Sequence, residues 1–264
     1  MSQRTTGRQD DSVSDDPNPE DGLNRLEALI YPDLHRYIDP ATRVGPVAWG
    51  VFFTVTHQIA AVLTLHRDGL CFASGPNRRT LLEYILFLAW LADDGEAAVD
   101  VLNRSLQNDQ KSMASQLRLT SQLDQHPEHA QDILRQTIAE PLVPHPDERL
   151  LKPSNLIEEY DGRLKSYYAA ESRFSHVSMT SVQHFMQPKP EGYELSQVPA
   201  PKEAASCAEL CLHLFSQALI IFNEILVGRP WTNDLAAIAA EYGLDTDRPT
   251  RRAKDAAPGA PSGR

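Results

Sequence analysis

Between Leu81 and Ala92 every residue is apolar or aromatic except Glu83. A helix that is apolar on all sides belongs in the middle of a core. A carboxylate carried into that core has to be paired, hydrogen-bonded or protonated, because burying it alone costs several kcal/mol. The stretch Pro76–Ala92 is therefore expected to be the central helix, and the partner of Glu83 becomes the first functional question. Arg79 stands four residues before it, a spacing that brings two side chains together on one helix face. The same residues also allow a local account. Thr80-x-x-Glu83 fits a capping box, in which Thr80 opens the helix and Glu83 turns back to an early backbone N–H.

The remaining sequence reads mostly with helical period. Leu23, Leu26, Leu29 and Ile30 mark a first helix, with Pro32 as a break. Val47–His66, Glu96 to about Leu123, Pro127–Glu140, Ser154 to at least Tyr168, Lys202–Val227 and Asn233–Tyr242 are further helices, separated by Gly, Pro and Asp clusters. Proline-rich connectors are expected at 141–153 and 187–201. No run alternates convincingly with period two, and no strand is expected. The fold class is all-α, a bundle of seven to eight helices over residues 22–243. Residues 1–21 and 244–264 are poor in large apolar side chains and are expected to be disordered tails, with Arg248, Arg251 and Arg252 at a solvated end.

Charge and cysteine content narrow the classes of function. The net charge is −11; residues 1–21 carry −4 and residues 244–264 carry +2, which leaves −9 on the body. An acidic body disfavours broad attachment to nucleic acid or to an anionic membrane. Three cysteines do not form a disulfide framework and suit a reducing compartment, so a cytoplasmic setting is expected. Val44–Leu65 lacks acids, Lys and Arg and is long enough to span a bilayer. Its Gly, Pro, Thr, His and Gln content suits a bundle helix better, which leaves the span a minor alternative.

A second polar stretch answers the first. Tyr168, Ser172 and His176 follow one another at four-residue steps beside a stripe of Leu156, Tyr160, Leu164 and Tyr167. Glu171 and Ser175 fall nearer the centre of that stripe, and polar groups there need internal partners. The candidate site is accordingly Arg79, Glu83, Tyr168, Ser172 and His176. It is either a proton-transfer centre with His176 as carrier or a hydrogen-bond network joining two helices. No pattern calls for a cofactor or a metal. Cys207-x-x-x-Cys211-x-His213 lacks zinc-site spacing and reads as small buried hydrophobes. His126-x-x-His129 lacks accompanying carboxylates, and phosphate-loop and hydrolase motifs are absent.

Arg79-x-x-x-Glu83 followed by Tyr168-x-x-x-Ser172-x-x-x-His176 resembles a family of uncharacterised bacterial helical proteins, over roughly residues 45–228. More distantly, the layout is similar to the HEPN helical bundles, in which an Arg a turn or more ahead of a late His implies metal-independent RNA cleavage. Here Arg173 precedes His176 with two residues between them. Two functions are therefore expected to compete. One is a non-enzymatic module binding a protein partner or small ligand; the other is a HEPN-like ribonuclease of a bacterial defence or toxin system. The sequence leaves the oligomeric state open.

Overall fold

The uniformly apolar stretch forms the hub of a helical bundle. In a computed structural model of the chain, residues 17–30, 34–119, 146–160, 164–175, 182–183, 185–195 and 207–251 are described. They form eight α-helices of eight residues or more: α1 (Pro19–Ala28), α2 (Val44–Arg67), α3 (Gly75–Asp94), α4 (Glu96–Leu119), α5 (Pro153–Tyr160), α6 (Leu164–Ser175), α7 (Cys207–Ile225) and α8 (Thr232–Tyr242). Short 3-10 turns at Leu34–Tyr37, Cys71–Ser74 and Pro146–Leu151 link them. The helix expected at Pro127–Glu140, the histidines His126 and His129, and Pro32 lie outside the described residues.

Helix α3 packs against α2, α4, α5, α6 and α7. Its Leu81, Leu82, Ile85, Leu86, Leu88, Ala89, Trp90 and Leu91 are all buried, as a helix apolar on every side requires. Trp90 keeps its indole N–H satisfied by donating to Asp94 Oδ2 at 2.8 Å. Between α2 and α7 the rings of Phe52 and Phe222 stack at 4.4 Å. Gly95, at φ +54°, ends α3 by donating its N–H to Leu91 O, a left-handed turn that a side chain would resist.

The termini of the fold depart from the expected boundaries. Helix α1 begins at Pro19, inside the segment assigned to a tail, because Asn18 Oδ1 accepts the Glu20 N–H and Pro19 presets the first turn. Gly22 is buried where α1 crosses α7; a Cβ there would sit 2.9 Å from Leu212 Cδ1 and 3.0 Å from Tyr242 Cε1. Arg25 pairs with Glu241 and lies 5.8 Å from the Tyr242 ring centre, so α1 and α8 lie side by side. At the other end, residues 244–251 run along the body. Arg248 bridges Asp93 (2.6 Å) and Glu224 (2.7 Å), and Arg251 reaches Asp94 (2.7 Å), Glu159 (2.8 Å) and Asp147 (3.3 Å). These two arginines are structural clasps rather than a solvated end; Arg252 lies outside the described residues.

Three further expectations change. Thr80 does not cap α3, which starts at Gly75 with Pro76 in its first turn. The helix expected to run from Ser154 through Tyr168 is two elements, α5 and α6. The expected connector at 187–201 contains part of an antiparallel hairpin, Met186–Lys189 (β1) with Gly192–Leu195 (β2), paired Met186 to Leu195 and Lys189 to Gly192. Its Tyr193 and Leu195 are exposed, so no buried face imposes the alternation by which strands are usually read.

Among the described residues two helices are long and apolar enough to cross a membrane by length and composition, α2 (mean hydropathy 1.4) and α7 (1.2). In α7 56% of the apolar window is buried in the bundle, in α2 28%. Helix α2 thus offers a half-covered outer side carrying Trp49 and Phe53, whose rings lie 4.7 Å apart.

Candidate functional site

Consecutive arginines on α3 point in different directions, because each residue advances about 100° around a helix. Arg79 falls on the α6 side with Glu83. Its Nε donates to Glu83 Oε1 at 3.0 Å and lies 3.1 Å from Tyr168 Oη, while that phenol donates to Glu83 Oε1 at 2.8 Å. The Arg79 guanidinium carbon lies 5.2 Å from the Tyr168 ring centre, within cation–π range. The cluster is partly enclosed, the Arg79 and Glu83 side chains being 26% and 18% exposed. Burial, reinforced by the bond to Glu83, raises the Tyr168 phenol pKa against the opposing pull of Arg79. The phenol therefore stays protonated and acts as a donor to a carboxylate already compensated by a cation.

Arg79, Glu83 and Tyr168 are thus brought together from two helices far apart in sequence. Ser172 stands one turn beyond Tyr168 on α6, but its Oγ is buried with no hydrogen-bond partner among the described residues and takes no part in the triangle. His176 lies immediately past α6 and outside the described residues.

Arg78, which the sequence reading passed over, turns inward. It is buried, and its Nε donates to Glu171 Oε1 at 3.0 Å, with both side chains only 6% exposed. Its Nη1 donates to Cys71 O at 2.8 Å and to Ser74 Oγ, and that hydroxyl donates to the same carbonyl at 2.6 Å. This ion pair explains why Glu171 sits in an apolar stripe. A signal for it was present: Arg78 shares a helical face with Leu81, Leu82 and Ile85 at the i, i+3, i+4, i+7 spacing of core positions.

Cys207 and Cys211 are both buried, as small hydrophobes on a packed helix should be. Cys211 is buried in the α7 interface and His213 is exposed. Cys207 faces Cys71 and His66, with a His66 ring nitrogen and the two sulfurs all within 4.8 Å of one another. Burial pushes the Cys207 thiol up to about 11 and the Cys211 thiol up to about 12, with Arg78 pulling both the other way.

A cleft of about 370 Å³ runs between α1 and α2. Leu23, Ile30, Ile59 and Phe215 line it as buried apolar walls, with Phe53 and Leu63 partly exposed. Glu20, Glu27, His57 and Arg67 stand at its rim, Arg67 Nε lying 3.7 Å from Glu20 Oε1. The fold and these clusters define an all-α bundle with a self-satisfied polar junction and a cleft of mixed polar and apolar lining. No protein-family model, no curated protein and no solved structure matches the chain.

Proposed function

We propose that the protein is a non-catalytic binding module that takes a small amphipathic molecule into the cleft between α1 and α2. The observation that carries this reading is the composition of the cleft. A volume of about 370 Å³, lined about equally by apolar side chains and by polar ones, suits a small ligand that carries both kinds of surface. The apolar body of the ligand lies against Leu23, Ile59 and Phe215, and its polar end meets Arg67, His57 and the acids Glu20 and Glu27. Arg79, Glu83 and Tyr168 then serve as a fixed strut between α3 and α6, since each satisfies the others. Three cysteines that remain unbridged suit a cytoplasmic setting.

The test uses anilinonaphthalene sulfonate, an amphipathic fluorescent probe, with Ala60→Trp, which fills the cleft from an exposed helix position. The expected result is probe binding by wild type and affinity weakened at least about tenfold in the variant, roughly 1.4 kcal/mol, at an unchanged melting temperature. Equal binding by the two proteins would overturn the assignment.

A second reading, the HEPN-like ribonuclease, is favoured by one observation: Tyr168, which ties α6 to Arg79 and Glu83, lies on the helix whose last residue, Ser175, precedes His176 in sequence. RNA cleavage by wild type that disappears in His176→Ala, with melting temperature retained, supports that reading over the binding module. Absence of cleavage by wild type removes it.

A further inference from the structure

Beneath the start of α3, side chains from three separate segments converge on one point. His66 comes from the last turn of α2, Cys71 from the 3-10 turn that follows, and Cys207 from the first residue of α7. His66 Nδ1 lies 2.8 Å from Cys71 Sγ, and all three donor atoms fall within 4.8 Å of one another. Both cysteines are buried, while His66 is partly exposed. Arg78 holds the Cys71 backbone through its carbonyl and places Nη1 3.9 Å from Cys207 Sγ. We propose that His66, Cys71 and Cys207 form a three-ligand site for a thiophilic metal ion, zinc or copper(I).

The donor set selects that chemistry. One imidazole with two thiolates suits zinc and copper(I), whereas calcium and magnesium want oxygen ligands. Bonds of about 2.0–2.3 Å place neighbouring donors roughly 3.5–4 Å apart around a shared ion. The observed cluster reaches that separation by small side-chain movements, His66 drawing back from Cys71 as the contact between them is exchanged for bonds to the metal. Charge also agrees. Binding releases the two thiol protons to solvent; the resulting thiolates neutralise zinc, and with copper(I) they leave one negative charge facing the Arg78 guanidinium. The ion would tie the end of α2 to the start of α7 across the turn that feeds α3. Partial exposure of His66 leaves a route of entry from the surface. Cys211, one turn along α7, is buried and outside the group of three donors, and serves as an internal control.

The experiment uses the full chain, reduced, stripped of metal and kept anaerobic, titrated separately with Zn²⁺ and Cu⁺. Stoichiometry, affinity against a competing chelator, and the number of thiols open to a chromogenic thiol reagent are read on the same samples. One ion per chain is expected, with Cys71 and Cys207 reacting more slowly with the reagent when the ion is bound and Cys211 reacting at the same rate. The ion retained against the stronger competitor identifies the metal. Cys211→Ala should bind as wild type does, while Cys207→Ser and His66→Gln should each weaken binding at least about tenfold. His66→Gln changes a partly exposed helix end, so it remains informative where a cysteine variant fails to fold. Neither ion binding at one per chain, or undiminished affinity in His66→Gln and in every folded cysteine variant, would overturn the site.

Discussion

Arg78 and Glu171 show how one residue pair can set the cost of a whole interface. Both are almost fully buried, and each is the other's principal charge partner. Removing one member of such a pair leaves an uncompensated charge and costs about 3–5 kcal/mol, whereas replacing both by apolar residues of similar volume is often neutral. Arg78→Met alone is therefore expected to lower the unfolding free energy by roughly that amount, and Arg78→Met with Glu171→Leu to recover most of it; urea denaturation of the four-member cycle measures the difference. The sequence made half of this pair visible. Glu171 was conspicuous because a carboxylate interrupts an apolar stripe, but Arg78 was hidden beside Arg79, whose i, i+4 relation to Glu83 is the more obvious pattern. Tyr168 could be anticipated as a partner for Glu83 since its hydroxyl flanks the same stripe, whereas Ser172, one turn away, reaches neither member of the pair.

Helices α3 and α6 meet through side chains that bond across the junction, so a single hydroxyl contributes to their docking. Tyr168→Phe keeps the ring beneath Arg79 and removes the hydroxyl's donation to Glu83 together with its acceptance from Arg79 Nε. The expected loss is about 0.5–1.5 kcal/mol, the usual net worth of an intramolecular hydrogen bond. Denaturant unfolding monitored by circular dichroism checks it, with an unchanged slope expected because the surface exposed on unfolding is the same. Helix α3 could be read from sequence because its apolar residues occupy every face. The hairpin could not: β2 is exposed on both sides and β1 contains Pro188, so neither carries a periodic signature. Division of the stretch after Pro153 into α5 and α6 was equally invisible, since Leu156, Tyr160, Leu164 and Tyr167 keep one helical phase across the break.

Across the whole molecule, the acidic body is held in part by two arginines from the far end of the chain. Arg248 and Arg251 bind carboxylates on α3, α5, α7 and the Pro146–Leu151 turn. Local composition hides this, because the surrounding Asp, Pro, Thr and Gly residues resemble a solvated tail and the acids they meet lie far away in sequence. Arg251→Ala is expected to cost about 2 kcal/mol, in the range of hydrogen bonds to charged groups. The network also carries a pH dependence. Burial raises the Glu159 carboxyl pKa, but hydrogen bonds and charge from Arg251 and Arg149 outweigh it and leave it below the usual value. A carboxyl lowered in the folded state contributes stability above its unfolded pKa of about 4.3 and loses that contribution as pH falls through the folded value. Melting temperature should therefore fall more steeply below about pH 4.3 in wild type than in Glu159→Gln, a comparison that scanning calorimetry at matched ionic strength makes directly.

The neighbourhood of α1 and α8 has a consequence for how this chain can be rewired. With Arg25 against Glu241 and Tyr242, the first and last helices run close enough for a short peptide to join them. New ends could then be opened at the solvent-facing tip of the hairpin, around Pro190–Glu191, where little packing would be lost. A permutant made in this way would enter synthesis at β2 and finish at β1, yet it has the same set of interior neighbours to find.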